Sequence, residues 1–198
     1  MFSGIIANTS SVLKISEKRK IKIVAIKKPR SFRAKPGESI SVNGVCSTVV
    51  NTLRDSLVFE YMPETLRKTN VKEWSIGTAV NLERSLTLNS LIGGHLLAGH
   101  IDVAGKILQI QREGNSKTFH VNFPREFRRY LIPKGSVAIE GVSLTVVDVS
   151  AKSFAVSLIP YTLLHTNLRG KKIGDSVNIE FDLFSKYAES ILKHRTIR

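Results

Sequence analysis

An internal repeat restricts this chain more than any other feature. Residues 39–83 can be laid on residues 136–180 at a constant offset of 97 without a gap, with about 17 identities over those 45 positions. Asn43-Gly44-Val45-Cys46-Ser47-Thr48-Val49-Val50 falls on Glu140-Gly141-Val142-Ser143-Leu144-Thr145-Val146-Val147, and Met62-Pro63-Glu64-Thr65-Leu66 falls on Ile159-Pro160-Tyr161-Thr162-Leu163. Thr69-Asn70, Val80-Asn81 and Glu83 recur as Thr166-Asn167, Val177-Asn178 and Glu180. The period is longer than that of the usual solenoid repeats, so each copy is expected to be a small domain with its own core. The 198 residues have room for two such domains, expected at 1–95 and 96–182, with a distinct tail at 183–198.

Within each copy the pattern is that of short strands. Residues 11–15 and 20–26 flank a polar turn, as do 106–111 and 117–123, so each unit is expected to open with a hairpin. Val- and Thr-rich runs at 45–50 and 142–149 follow. Many short strands at regular spacing predict an all-β sandwich or a closed barrel, with short helical turns only, after Pro63 and Pro160. In the tail, Leu183, Phe184, Tyr187, Ala188, Ile191 and Leu192 recur at helical spacing. They predict an amphipathic helix with a basic end at Lys193-His194-Arg195, its apolar stripe packed on its own barrel or on the same helix of other subunits.

Ten Lys and Arg lie between Lys14 and Lys35 against the single acid Glu17, in a chain of net charge +14. Lys20-Ile21-Lys22-Ile23 alternates polar with apolar, which places these lysines on the wet face of a strand. No RNA- or DNA-binding motif or aromatic platform accompanies the charge, so no nucleic-acid partner is expected. No apolar run approaches the roughly 20 residues that span a membrane. The first residues carry no positive charge ahead of a short apolar run, unlike a secretory signal. Cys46 is the only cysteine, which excludes an intrachain disulfide and a cysteine zinc cluster and fits a reducing cytoplasm.

Period-two geometry puts Cys46 and Thr48 on one face of a strand, and Ser143 and Thr145 on one face of its counterpart. A lone cysteine is often a small core residue, but polar pairs at equivalent places point to two similar ligand sites. Gly93-Gly94-His95-Leu96-Leu97-Ala98-Gly99-His100 joins the copies. Its two histidines face opposite sides of a strand and stand about 140° apart on a helix, so no shared metal is expected. His100 is a candidate acid/base group near neutral pH, or else a satisfied structural histidine.

These residues also resemble a known family. Met1-Phe2-Ser3-Gly4-Ile5-Ile6, Asn43-Gly44-Val45-Cys46, Pro63-Glu64-Thr65-Leu66-Arg67-Lys68-Thr69-Asn70, Gly93-Gly94-His95 through Gly99-His100-Ile101-Asp102, Lys134-Gly135-Ser136 and Gly141-Val142-Ser143-Leu144-Thr145-Val146 are similar, in order, to riboflavin synthases. The resemblance implies two tandem six-stranded Greek-key β-barrels with a C-terminal α-helix, assembled as a homotrimer. It implies a cofactor-free dismutation of two 6,7-dimethyl-8-ribityllumazine molecules to riboflavin and 5-amino-6-ribitylamino-uracil, and an association with lumazine synthase. One lumazine would sit on each barrel, the active site forming where the N-barrel of one subunit meets the C-barrel of the next.

Carried over motif by motif, the N-barrel site would be Gly4-Ile5-Ile6, Cys46-Ser47-Thr48 and Glu60-Tyr61-Met62-Pro63-Glu64-Thr65. The other would be Gly99-His100-Ile101, Lys134, Ser143-Leu144-Thr145 and Leu158-Ile159-Pro160-Tyr161-Thr162-Leu163. His100 would transfer a proton, while Cys46 and Ser143 would hydrogen-bond or add transiently. Glu140, where the family usually has Asp, and Tyr161, where it has His or Glu, depart from its pattern. A non-catalytic relative of the lumazine-protein kind is the alternative, but those have a degraded second unit, and here both units keep their motifs.

Overall fold

Each copy opens with the expected hairpin. The computed structural model describes residues 1–30 and 32–195. In it β1 (Asn8–Lys18) turns back into β2 (Ile21–Lys27), and β7 (Val103–Glu113) into β8 (Ser116–Asn122). The first copy continues with β3 (Ser39–Val42), β4 (Val45–Thr52), β5 (Ser56–Tyr61) and β6 (Ala79–Arg84). The second continues with β9 (Ser136–Ile139), β10 (Val142–Val149), β11 (Ser153–Leu158) and β12 (Ser176–Phe181). Around the closed barrels the strand orders are β1-β2-β5-β4-β3-β6 and β7-β8-β11-β10-β9-β12, all pairs antiparallel. β5 returns beside β2 after the chain has crossed to β3, which is Greek-key connectivity, and closure leaves no strand edge unpaired.

β4 and β10 share one burial pattern: Val45, Ser47 and Val49 point inward, as do Val142, Leu144 and Val146, while Thr48 and Thr145 face outward. Val24, Ile26, Leu57, Phe59 and Leu82 fill the first barrel; Phe119, Val121, Phe154, Val156 and Ile179 fill the second. Each such side chain contributes roughly 1.5–3 kcal/mol by leaving water. Lys22 departs from the expected wet face. It lies inside with Val24 and Ile26, its ammonium donating to the carbonyls of Val71, Lys72 and Trp74 at 2.8, 3.1 and 3.1 Å. Three acceptors at the barrel end offset the cost of burying the charge.

Helical turns follow both prolines: α1 (Pro63–Lys68) and α2 (Pro160–His165). The repeated Thr-Asn pair then has a division of labour. The Thr69 and Thr166 hydroxyls accept from the Val71 and Leu168 N–H groups and start a 3-10 turn, while Asn70 and Asn167 cross to the other barrel.

There the two copies meet around an approximate two-fold axis. The Asn70 N–H donates to Asn178 Oδ1 (2.8 Å), and the Asn167 N–H to Asn81 Oδ1 (2.7 Å). Asn81 Nδ2 donates to the Glu140 carbonyl and Asn178 Nδ2 to the Asn43 carbonyl, both at 2.9 Å. The β3–β4 and β9–β10 turns touch at the axis. Their central residues, Asn43-Gly44 and Glu140-Gly141, all have positive φ, and a Cβ on either glycine would lie 2.6–2.8 Å from the other's backbone nitrogen. Only glycine meets both demands.

The tail forms α3 (Leu183–Arg195); residues 196–198 of the expected 183–198 region lie outside the described residues, as do the side chains of His194 and Arg195. Lys186–Asp102 and Glu189–Arg129 ion pairs, both 2.6 Å, hold the helix to the second barrel, and Phe184, Tyr187 and Ile191 on one face stay 57–67% exposed. Among the described residues no helix is long and apolar enough to cross a membrane.

The fully buried Glu140 accepts from Asn70 Nδ2, Asn167 Nδ2 and the Asn178 N–H and faces Lys171 Nζ at 3.1 Å. Glu140→Ala would strand three donors and a cation, so it should destabilise the chain by roughly 3–5 kcal/mol. The urea midpoint measures this; a loss below about 1 kcal/mol would show that water replaces the carboxylate.

Candidate functional site

Cys46 and Ser143, the first members of the outer-face pairs on β4 and β10, are each bordered by a segment from the opposite repeat, while Thr48 and Thr145 stay exposed. The Ser143 N–H donates to the Gly4 carbonyl at 2.9 Å, and the Cys46 N–H to the Gly99 carbonyl at 2.8 Å. Phe2 and Leu97 exchange backbone hydrogen bonds of 2.8 and 3.0 Å where the two segments cross. Ile6 packs on the second barrel's core and Ile101 on the first's. This corrects the expected grouping: within one chain Gly4-Ile5-Ile6 belongs with Ser143, and Gly99-His100-Ile101 belongs with Cys46.

Two buried carboxylates enforce the exchange. Glu83 on β6 accepts from the Ser3 N–H and hydroxyl, both at 2.7 Å, and from the Gly4 N–H at 3.0 Å. Glu180 on β12 accepts from the Ala98 and Gly99 N–H groups at 2.7 and 3.0 Å. Sequence reasoning registered both acids as repeated but assigned them no role. Their signal was an identical acid next to last in two equivalent strands, two residues after an identical asparagine.

Around Cys46 lies a hollow of about 260 Å³, bounded by Glu64, Thr65 and Lys68 from α1, by Thr69, and by Gly99, His100 and Ile101. Cys46 is half-buried and its thiol is free; His100 is exposed on the rim. Around Ser143 the arrangement differs. His95 Nδ1 lies 2.7 Å from Ser143 Oγ, and Gly94 is so close that a Cβ there would sit 2.6 Å from the Ser143 Cβ. The half-buried imidazole has its pKa lowered by burial, which the Asp182 charge partly opposes, and its buried Nε2 has no hydrogen-bond partner among the described residues. His95, singled out in sequence only as an unlikely metal ligand, is thus the histidine that touches a proposed site hydroxyl.

Other expected site residues divide by orientation. Ser47, Tyr61, Leu144, Leu158 and Leu163 turn into the barrels, with Ser47 Oγ 3.0 Å from Tyr61 Oη, so they offer a ligand only backbone. Burial raises the Tyr61 phenol. Glu60, Met62, Ile159, Pro160 and Tyr161 are exposed, and Pro63 and Thr162 half-buried, at the starts of α1 and α2; Glu64 pairs with Arg67. Lys134 stands exposed on the turn before β9, its N–H donating to the Val146 carbonyl three residues beyond Ser143.

Comparison with known proteins gives this geometry its context. The lumazine binding domain matches residues 3–85 and again 98–182. The riboflavin synthase of Actinobacillus pleuropneumoniae is 40% identical over 193 residues, covering 97% of this chain and 90% of its own. The chain belongs to the riboflavin synthase family. The riboflavin synthase of Bacillus subtilis (strain 168) is 34% identical over 94% of this chain and 87% of its own. Among solved structures, LumP complexed with riboflavin superposes with a TM-score of 0.86 at 25% identity, covering 91% of this chain and 99% of that one. LumP complexed with 6,7-dimethyl-8-(1'-D-ribityl) lumazine gives 0.83 at 26%, with 91% and 98% covered. In this member of the riboflavin synthase family the two domains are therefore the two barrels, joined by the crossed segments.

Burial raises the Glu180 carboxyl to about 7 from an ordinary 4.5, against the opposing pull of the Ala98 N–H, the Lys186 charge and the Gly99 N–H; Asp102 adds to the rise. A carboxyl whose folded pKa exceeds its unfolded one binds its proton more tightly when folded. Its contribution to stability is complete below about pH 4.5 and lost as pH rises through about 7. Unfolding free energy should fall by roughly 2–3 kcal/mol across this window on its account, and Glu180→Gln should flatten the slope. Denaturation midpoints with the same pH dependence in both proteins would show a carboxylate ionised throughout.

Proposed function

We propose that the chain is a riboflavin synthase, dismutating two molecules of 6,7-dimethyl-8-ribityllumazine to riboflavin and 5-amino-6-ribitylamino-uracil. The observation that carries this reading is the duplicated outer-face pair, Cys46/Thr48 and Ser143/Thr145, each beside a segment of the opposite repeat, in a chain 34–40% identical to riboflavin synthases along nearly its whole length. Identical substrates account for a duplicated site. One lumazine gives four carbons and the other accepts them, so the two substrates together contain every atom of both products.

The protein's task is then to hold two rings face to face, take a proton from the C7 methyl of one and activate C7 of the other. Positioning alone is worth roughly 7–11 kcal/mol. Backbone groups of residues 46–48 and 143–145 suit the edge of a flat pteridine, and hydroxyls and Lys134 suit the ribityl chain. His100 serves proton transfer, and Cys46 and Ser143 hydrogen-bond or add transiently. The hollow of about 260 Å³ at Cys46 falls just under the roughly 300 Å³ at which ligand pockets begin. A second surface must cover the ligand, which supports a site between subunits. The exposed face of Phe184, Tyr187 and Ile191 supports α3 as the element that joins them into a homotrimer. The cytoplasm suits a chain with one free thiol, and association with lumazine synthase rests on the family resemblance.

Incubating the pure protein with the lumazine alone should yield riboflavin, followed by its absorbance. Tight binding without product would make this a lumazine-binding protein instead. Cutting the chain after Asp182 should lower both sedimentation coefficient and turnover; an unchanged trimer would assign α3 to its own barrel. Cys46→Ser should reduce turnover measurably and leave some, since serine still hydrogen-bonds. Complete loss with binding intact would mark an obligatory thiolate.

A further inference from the structure

The basic run between Lys14 and Lys35 takes no part in either site, yet its second half converges on one place. At the end of the first barrel remote from Cys46 is a cavity of about 800 Å³. The β2–β3 connection brings Lys28, Arg30, Arg33 and Lys35 to it, the β4–β5 turn brings Arg54, and the end of β6 brings Arg84. Glu38 and Asp55 are the acids on its wall. Lys28 donates to the Leu53 carbonyl at 2.9 Å, and Arg84 reaches Glu38 at 3.4 Å. Arg30, Arg33, Lys35 and Arg54 form no ion pair among the described residues.

The repeat provides an internal control. At the corresponding end of the second barrel Arg125, Arg128 and Arg129 also gather, but there the chain satisfies two of the three: Arg129 pairs with Glu189 of α3 and Arg128 donates to the Leu131 carbonyl at 2.8 Å. No helical residue lines the cavity of the first barrel. Nor is the missing anion obvious elsewhere in a chain of net charge +14, whose Glu189 is already shared by Arg129 and Lys193.

Cations gathered around a concavity repel one another and focus their field on an anion that enters. Guanidinium forks bind phosphate oxygens two at a time. Phe32, the one aromatic residue in the wall, is buried and offers no face on which a base could stack. We propose that this cavity binds the phosphate chain of a small oligophosphate, inorganic or nucleoside, independently of the lumazine sites.

Calorimetric titration of the full chain with inorganic triphosphate, in about 150 mM salt, tests this, with ATP as a second probe. One triphosphate should bind per chain, unaffected by saturating riboflavin. The Arg33→Gln/Arg54→Gln double variant should bind at least about tenfold more weakly and keep the wild-type circular dichroism. Equal affinity for triphosphate and ATP would assign recognition to the phosphate chain alone; tighter ATP would identify a nucleotide as the source. Unchanged binding by the double variant, displacement by riboflavin, or no saturable heat would overturn the proposal. So would tighter, steeply salt-dependent binding of an unrelated RNA, which would make this face a nucleic-acid surface.

Discussion

The buried amide and carboxylate network at the approximate two-fold axis is the constraint on which the rest of the structure depends. Asn43, Asn70, Asn81, Glu140, Asn167 and Asn178 are all nearly or fully inaccessible, and each makes at least one hydrogen bond to the other copy. An apolar interface would tolerate sliding. A network in which every misplaced group becomes an unsatisfied buried dipole does not, because each such group costs about 1–3 kcal/mol. It thereby fixes the relative position of the barrels, and with it the contact of the Gly44 and Gly141 turns.

That fixed geometry makes the exchange of segments possible. Cys46 and Ser143 lie two residues beyond the touching turns, so each is close to the seam, within reach of a strand crossing from the other side. Glu83 and Glu180 then hold the crossing strands by their N–H groups, leaving the Gly4 and Gly99 carbonyls free to accept from β10 and β4. Neither outer-face pair is a property of one barrel alone. A fragment of either copy would lack the segment that borders its own β4 or β10.

Elements set by local periodicity were legible in the sequence. The hairpins, the turns after Pro63 and Pro160, the helical tail and the placing of Cys46 with Thr48 and of Ser143 with Thr145 on one strand face all follow from short-range patterns and a constant offset. What stayed hidden depends on contacts between copies. Asn70 reaches a residue 108 positions away, and no pattern near it reveals that. The pairing of residues 4–6 with Ser143 is likewise invisible until the crossing at Phe2 and Leu97 is seen. Lys22 deceived for a different reason: alternation gives the two faces of a strand but not which one is inside, and a lysine that finds three carbonyls at a barrel end behaves as a core residue.

The halves are equal in frame and unequal in detail, and the inequalities come in compensating sets. Asn43 in the first copy is matched by Glu140 in the second, and Trp74 by Lys171. Trp74 donates its indole N–H to Asn70 at 3.1 Å, whereas its counterpart Lys171 faces Glu140, which also accepts from Asn70. Exchanging one member alone would bury a charge without its partner, so the pair has to change together. The outer faces show the same independence. Ser143 has His95 at hydrogen-bond distance, while among the described residues no side chain hydrogen-bonds the Cys46 thiol, which opens onto its hollow. One scaffold used twice thus presents two different chemical faces to whatever it binds. For a reaction between two copies of a single molecule, such a difference is what allows one copy to be treated unlike the other.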